Sequence, residues 1–353
     1  MGDGNIIVKA QTLKDFATSI FSACNISSED ALKWADVLVW ANLRGVDSHG
    51  VLRIPRYIET IKNGNIKARP NITLEKKDGA IAVLDCDAAP GPIGMTRAME
   101  EAMERANEVN IGWCIAKNIT HTGAIGYYAQ IAAKESMAGI IMIASRPMMA
   151  YHGARVAGLS TNPLAIAVPG GTHPPLVVDM STSTVSMGKI LEARDAGEPI
   201  PNGWAMDKNG NMTNDPNCAS ILMPLGGAKG SSLSLMFECL VSLMGANPLI
   251  ASLIMPGADP SGFRQNGLAI AIKISAFVDI NNYRNEVDLL ASAIKSLPRA
   301  EGVEEIYAPG ERGDAILAER SKNGIPLPRG TWDRLSQSAS ALGVEMPNIS
   351  TSF

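Results

Sequence analysis

RGVDSHGVLRIPRY, residues 44–57, is the stretch from which the rest of the chain can be read. Asp47, Ser48 and His49 run into Gly50, and an apolar, arginine-bearing segment follows. The spacing predicts a helix from about Val51 through Ile61, with Leu52, Ile54, Ile58 and Ile61 as its buried stripe. Pro55 is compatible with that helix only within roughly the first turn, which sets the start near Gly50. His49, Arg53 and Tyr57 lie four apart, so on a helix they drift by only ~40° per step and share one face. An imidazole, a guanidinium and a phenol together could hold a small carboxylate with a hydroxyl or keto oxygen nearby. The plainer reading of the same residues is a helix cap or a bridge to a neighbour.

Upstream, Leu13, Phe16, Ile20 and Phe21 keep helical spacing. Asn25–Ser28 interrupts it, and Ser27 to Asp30 has the form of a capping box for a second helix lined by Ala31, Trp34, Ala35 and Leu38. Downstream, from about residue 76, short apolar runs alternate with amphipathic ones. Residues 80–86, 113–118, 140–145, 165–170, 176–181 and 268–275 each have strand length and are bounded by Gly, Pro or polar residues. Helices are expected between them over Met95 to Asn107 and Tyr127 to Met137. This is α/β texture. Residues 197–217 are rich in turn formers and read as a long loop, and helix returns over Asp314 to Asn323 and Thr331 to Leu342.

Bulk properties narrow the class. At 353 residues the chain makes one large domain or two. Its net charge of −4 gives no reason to expect nucleic acid or an acidic membrane surface as partner. The five cysteines are scattered, odd in number and without a CxxC pair, which argues for a reducing compartment and against a zinc site. The N-terminal residues lack the pattern of a signal peptide, and no apolar run reaches the ~18 residues of a membrane span. A cytoplasmic protein with no membrane partner is expected.

Chemistry points to His121, in NITHTGAIGYY (118–128), just past a strand and before a helix. Strand-to-helix turns are where α/β enzymes place reacting groups, and an imidazole suits acid–base work near neutral pH. A solvated loop histidine is the competing reading. His152 and His173 sit in Gly/Pro-rich turns and read as structural or exposed. No pair of histidines has HxxxH or HxH spacing, so no metal is expected. Neither GxGxxG nor GxxxxGK[ST] occurs, which excludes the familiar dinucleotide and P-loop fingerprints. What the chain offers instead is LGGAKGSSLSL (225–235), where Lys229 precedes an apolar helical segment and could meet a pyrophosphate. Asp179, ending the 176–181 strand, could accept from a ribose or merely cap a turn.

Seven blocks carry a family resemblance: RGVDSHGVLRIPRY, NITHTGAIGYY, STNPLAIAVPG, VVDMSTSTVSMGKI, IPNGWAMDKNGNMTNDP, LGGAKG and IYAPGER. Their order and rough spacing resemble the type-2 malate/L-lactate dehydrogenase family, also called L-sulfolactate dehydrogenase-like, over nearly the whole chain. Among its members the pattern is nearest to ureidoglycolate dehydrogenase. The resemblance implies a non-Rossmann α/β fold. An N-terminal helical domain (1–75) would join an α/β cofactor-binding domain (76–305), with a C-terminal helical segment (306–353) packing on the first. It implies a homodimer or higher assembly, and NAD as cofactor with NADP possible.

By the same resemblance His121 is the proton acceptor/donor, with His49 and Arg53 beside the substrate and Arg53 on its carboxylate. Tyr57 shapes that pocket. Ser145, Asp179, Met180, Ser181, Lys229, Gly310, Glu311 and Arg312 are the implied cofactor contacts. The implied reaction moves a hydride between nicotinamide and a small 2-hydroxy or 2-oxo acid. Reduction of a cyclic imino acid is the alternative within the fold, and a catalytically silent nicotinamide- or acid-sensing module is the alternative outside it. The chain departs from the family pattern at Arg146, which could hold a second anionic group of the substrate or make a surface ion pair. It departs again at AKGSS, where many relatives have an aromatic after the glycine.

Overall fold

The structure is a computed structural model and describes residues 5–255 and 264–348. Its N-terminal layer is helical. Helices α1 (Ala10–Ala23) and α2 (Ser28–Leu43) pack through the side chains that the periodicity singled out, with Leu13, Ile20, Phe21, Trp34 and Leu38 fully buried. Burial of each such side chain stabilises by about 1.5–3 kcal/mol. Ser27 caps α2 by accepting the Asp30 N–H at 3.1 Å. Phe21 stacks on Trp34 with centroids 4.1 Å apart, and Trp34 tilts against Tyr57 at 5.0 Å. Ile325, Leu327, Trp332 and Leu335, from the far end of the chain, complete this core. The Ile325–Leu327 strand also pairs antiparallel with Ile6–Val8.

The single helix expected from Val51 to Ile61 does not form. Asp47–His49 and Val51–Arg53 are two separate 3₁₀ turns, and α3 runs only from Ile54 to Lys62, with Pro55 in its first turn. Val51 is buried and Leu52 only half-buried, so the expected stripe shifts by one residue there. Asn42 on α2 is the physical cause. Its Oδ1 accepts the Val51 N–H at 2.9 Å, and a Cβ on Gly50 would lie 2.2 Å from the same oxygen. The chain bends around that amide instead of coiling past it.

The α/β part is built on seven strands. Across the sheet they run Thr73–Asp78, Ile81–Asp85, Ile111–Ile119, Gln265–Lys273, Met137–Ala144, Leu164–Val168 and Leu176–Met180. Only Ile81–Asp85 and Ile111–Ile119 pair in parallel; every other neighbour is antiparallel. The late Gln265–Lys273 strand inserts between two strands that are parallel to each other. A doubly wound parallel sheet is therefore absent from the described residues, in line with the missing GxGxxG. Helices α4 (Gly91–Val109) and α5 (Gly126–Lys134) cover one face with Met95, Ala98, Met99, Tyr128 and Ala132. Alternate strand residues such as Ile115, Leu268 and Ile270 pack on the other.

The Thr73–Asp78 strand was not legible because it is exposed along its whole length at the sheet edge. Residues 197–217, read as a loop, contain the short pair Ala205–Met206 and Met212–Thr213 within a second, five-stranded sheet. Helices α6 (Met187–Ala196), α7 (Ala228–Glu238), α8 (Ile250–Ile254), α9 (Ile280–Lys295), α10 (Glu311–Asn323) and α11 (Arg329–Ser340) complete the described chain. Among the described residues no helix is long and apolar enough to cross a membrane.

Candidate active site

The loop after the Ile111–Ile119 strand carries His121 to the two 3₁₀ turns and α3. The rings of His49 and His121 lie 5.7 Å apart and 23° from parallel. The Tyr57 hydroxyl is 2.8 Å from His121 Nδ1, and the Gly123 N–H donates to the same nitrogen at 3.3 Å. With a main-chain donor on Nδ1, the neutral ring holds its proton on Nε2 and the phenol donates to Nδ1. His49 Nδ1 contacts Ser48 Oγ at 2.9 Å, and Arg53 Nε donates to the Ser48 carbonyl at 2.6 Å. Arg53 thus uses one donor internally, and among the described residues no hydrogen bond or ion pair engages its terminal fork. The three residues read from sequence as one face, His49, Arg53 and Tyr57, do converge, and with His121, although by two tight turns and a short helix.

Charge and burial set the protonation states. Burial, then the Arg53 charge, lowers His49 to about 4. Burial, then His49 and Arg53, lowers His121 to about 3, and burial raises the Tyr57 phenol well above its ordinary range. Both imidazoles are therefore neutral near pH 7. The unfolded chain binds their protons near 6.5 and the folded chain only near 4 and 3, so the folded state gains stability as pH rises. That contribution is complete above about 6.5 and is lost as pH falls toward 3. The thermal midpoint should decline from pH 6.5 to 4 less steeply in His49→Gln than in the wild type. Equal declines would contradict the assignment.

Gly91, the first residue of α4, seats the His121 loop. A Cβ there would lie 2.4 Å from the His121 carbonyl oxygen and 2.6 Å from that of Thr120. The Gly91 N–H also donates to Thr120 Oγ1 at 3.2 Å. Gly91→Ala must push the loop away, and displacement of a reacting group by about 1 Å costs ~10²-fold in rate. Folded Gly91→Ala protein, checked by circular dichroism, should show that loss in kcat; wild-type kcat would remove Gly91 from this role.

A groove of about 290 Å³ is lined by Trp40, Arg44, Val177, Asp179, Tyr307, Gly310 and Arg312, among others. Asp179 Oδ2 accepts the N–H of Gly126 at 2.7 Å, capping α5 at the end of the His121 loop. Asp179 is exposed on the groove, and local desolvation of its carboxyl raises it to about 6 against the Gly126 N–H and Arg44. Arg44 pairs with Asp314 and donates to the Gly310 carbonyl at 2.8 Å, with its guanidinium 5.2 Å over Trp40. Trp40 and Arg44 were not singled out from sequence. Their one available signal was i,i+4 spacing on the helix that leads into residues 44–57.

The remaining sequence candidates divide. Gly310 and Arg312 line the groove, the Arg312 guanidinium lying 4.8 Å over the Tyr307 ring. Glu311 is spent internally: it pairs with Lys295, accepts the Ala308 N–H at 2.8 Å and meets His173 Nε2 at 3.2 Å. Ser145 is buried with its Oγ 2.5 Å from Ser160 Oγ, while Met180 is exposed and Ser181 Oγ lies 2.9 Å from Ser183 Oγ. The Lys229 loop leans on this stretch through the Leu225 N–H, which donates to the Thr182 carbonyl at 2.9 Å. Gly227, Lys229 and Gly230 give their N–H groups to carbonyls of the same loop, so the Lys229 side chain is its main offering to an anion. Arg146 is exposed, without an ion pair among the described residues, and no contact joins it to the histidine cluster.

The donor set fits a dinucleotide. Asp179 can accept from a ribose hydroxyl, and the exposed cations Lys229 and Arg312 have no carboxylate partner among the described residues.

The family model of malate/L-lactate dehydrogenase matches residues 8–336, and the chain belongs to that family. It is 36% identical over 348 residues to the malate/(S)-sulfolactate dehydrogenase of Methanothermus fervidus, covering 97% of this chain and 99% of that one. Identity to the NAD(+) ureidoglycolate dehydrogenase of Escherichia coli K12 is 31% over 321 residues, 91% of this chain and 92% of the other. The solved sulfolactate dehydrogenase of Methanocaldococcus jannaschii superposes with a TM-score of 0.87 at 34% identity, over 96% of this chain and 98% of that one. The fold is accordingly that of the L-sulfolactate dehydrogenase-like enzymes, and the chain is an oxidoreductase of the class acting on CH–OH groups.

Proposed function

We propose that the chain interconverts a small 2-hydroxy acid and its 2-oxo acid with a nicotinamide cofactor, NAD in the first place and NADP as the alternative. The observation that carries the proposal is the convergence of His49, Arg53, Tyr57 and His121, the last on a loop whose far end, Gly126, is held by Asp179 of the groove. The cofactor, held by Asp179, Lys229, Gly310 and Arg312, supplies a carbon that takes or gives a hydride. Arg53 binds the substrate carboxylate through its free fork, and His49 lines the same pocket. In oxidation the Tyr57 hydroxyl passes its proton to His121 Nδ1 and takes that of the substrate hydroxyl, so ring and phenol act as one proton-handling pair. His121 enters the cycle neutral, which is the state burial enforces.

Exposed apolar side chains, among them Met236 on α7, Leu243 and Met244 beyond it, Leu289 and Leu290 on α9 and Leu297 just past it, support assembly with a second copy. Arg146 is proposed as a contact for a second anionic group of the substrate.

The test is reduced-nicotinamide absorbance with NADH and, separately, NADPH, against a panel of 2-oxo acids and cyclic imino acids without added metal. Turnover of a 2-oxo acid supports the proposal. Turnover of imines alone would move the chain to imine reduction, and cofactor binding without any turnover would favour a sensing module.

A further inference from the structure

We infer that Arg320, on α10, is a positioning residue for the substrate end of the site, acting through Asp47 and Asn42. Arg320 grips Asp47 with both nitrogens of its fork: Nη1 donates at 2.8 and 3.1 Å, and Nη2 at 3.1 Å. Nη1 also donates to the Asn42 carbonyl at 2.5 Å. Asn42 in turn donates from Nδ2 to Asp47 at 2.5 Å and accepts the Val51 N–H at 2.9 Å. One arginine and one buried amide thus fix the start of each 3₁₀ turn, Asp47–His49 and Val51–Arg53. These turns present His49 and Arg53, and both side chains lean on Ser48, the neighbour of Asp47.

The arrangement is more than a surface ion pair. Asn42 is 1% exposed, and Gly50 is closed against it, so the turns have no other bed to settle into. The same helix begins at the groove, where Gly310 caps it and Arg44 holds the Gly310 carbonyl. Arg320 lies ten residues further on, about 15 Å along the axis at 1.5 Å per residue. Helix α10 is therefore a strut between the groove and the substrate turns. Loss of the bidentate grip leaves Asp47 on the Asn42 amide alone and lets the Ser48 shelf drift, which moves the Arg53 fork relative to the substrate carboxylate.

The inference rests on the reading that Arg53 and His49 hold the substrate. Its test uses the full chain with the 2-oxo acid that the wild type turns over. Arg320→Gln should raise KM for that acid by about tenfold with a smaller change in kcat, and leave the Kd for NADH, read by fluorescence, within about twofold. Arg320→Lys keeps the charge but not the fork and should give a smaller rise in KM, which keeps the test open if the glutamine variant does not fold. Asp47→Asn combined with Arg320→Gln should be no worse than the more severe single change, because both cut one grip. A purely structural role would lower the thermal midpoint and the active fraction but leave KM unchanged in both Arg320 variants, and that result overturns the inference. Arg53→Ala is the control. If it raises KM while the Arg320 variants do not, the inference alone fails; if it too leaves KM unchanged, the reading beneath it falls and the inference with it.

Discussion

Replacement of His121 by alanine should lower kcat by ~10²–10⁴, the usual worth of positioned proton transfer, while NADH binding stays intact. The expectation rests on a ring that is neutral at working pH and held at Nδ1 by the Tyr57 hydroxyl and the Gly123 N–H. Truncation leaves the groove of Trp40, Asp179 and Gly310 untouched, since His121 is not among its walls. Binding of NADH and chemistry should therefore separate. Folded His121→Ala protein with near-wild-type turnover would remove the histidine from the mechanism. Loss of NADH binding along with turnover would mean that the ring shapes the groove instead.

Arg53→Ala should act on the substrate rather than the cofactor. A charge-assisted hydrogen bond contributes about 1.5–3 kcal/mol, so loss of the fork predicts a rise in KM of roughly 10–100-fold. Arg53→Lys should recover only part of it, because an ammonium cannot reproduce a planar two-point grip. The same substitution carries a second signature. The Arg53 charge helps to hold down both His49 and His121, so its removal lets both imidazoles protonate more readily. The acid limb of the rate profile should move to higher pH in Arg53→Ala. A raised KM with an unmoved acid limb would place Arg53 further from the histidines than the structure does.

Much of this was legible along the chain because it depends on local spacing. The α1 and α2 stripes follow from periodicity, and the runs at 80–86, 113–118, 140–145, 165–170 and 176–181 each mark a strand of the main sheet. His121 and Asp179 stand out because strand ends are where chemistry and caps accumulate. Residues 44–57 were harder. Helical spacing correctly grouped His49, Arg53 and Tyr57 but not the two 3₁₀ turns, since these depend on the Asn42 amide lying beneath Gly50. The grip of Arg320 on Asp47 spans 273 residues and carries no local pattern at all. Glu311 shows the converse. Its motif suggests a cofactor contact, yet its carboxylate is occupied by Lys295, His173 and a main-chain N–H, and only the fold reveals those partners.

The central claim is that a hydride passes directly between a nicotinamide and C2 of a small acid held against His121 and Arg53. The most direct measurement uses NADH, and in parallel NADPH, deuterated on both faces of nicotinamide C4, with the 2-oxo acid that the chain turns over, and mass analysis of the product. The account predicts a 2-hydroxy acid carrying one deuterium at C2. A reduced product without that label would contradict direct hydride transfer, and no consumption of either cofactor with any 2-oxo acid would contradict the proposed function itself.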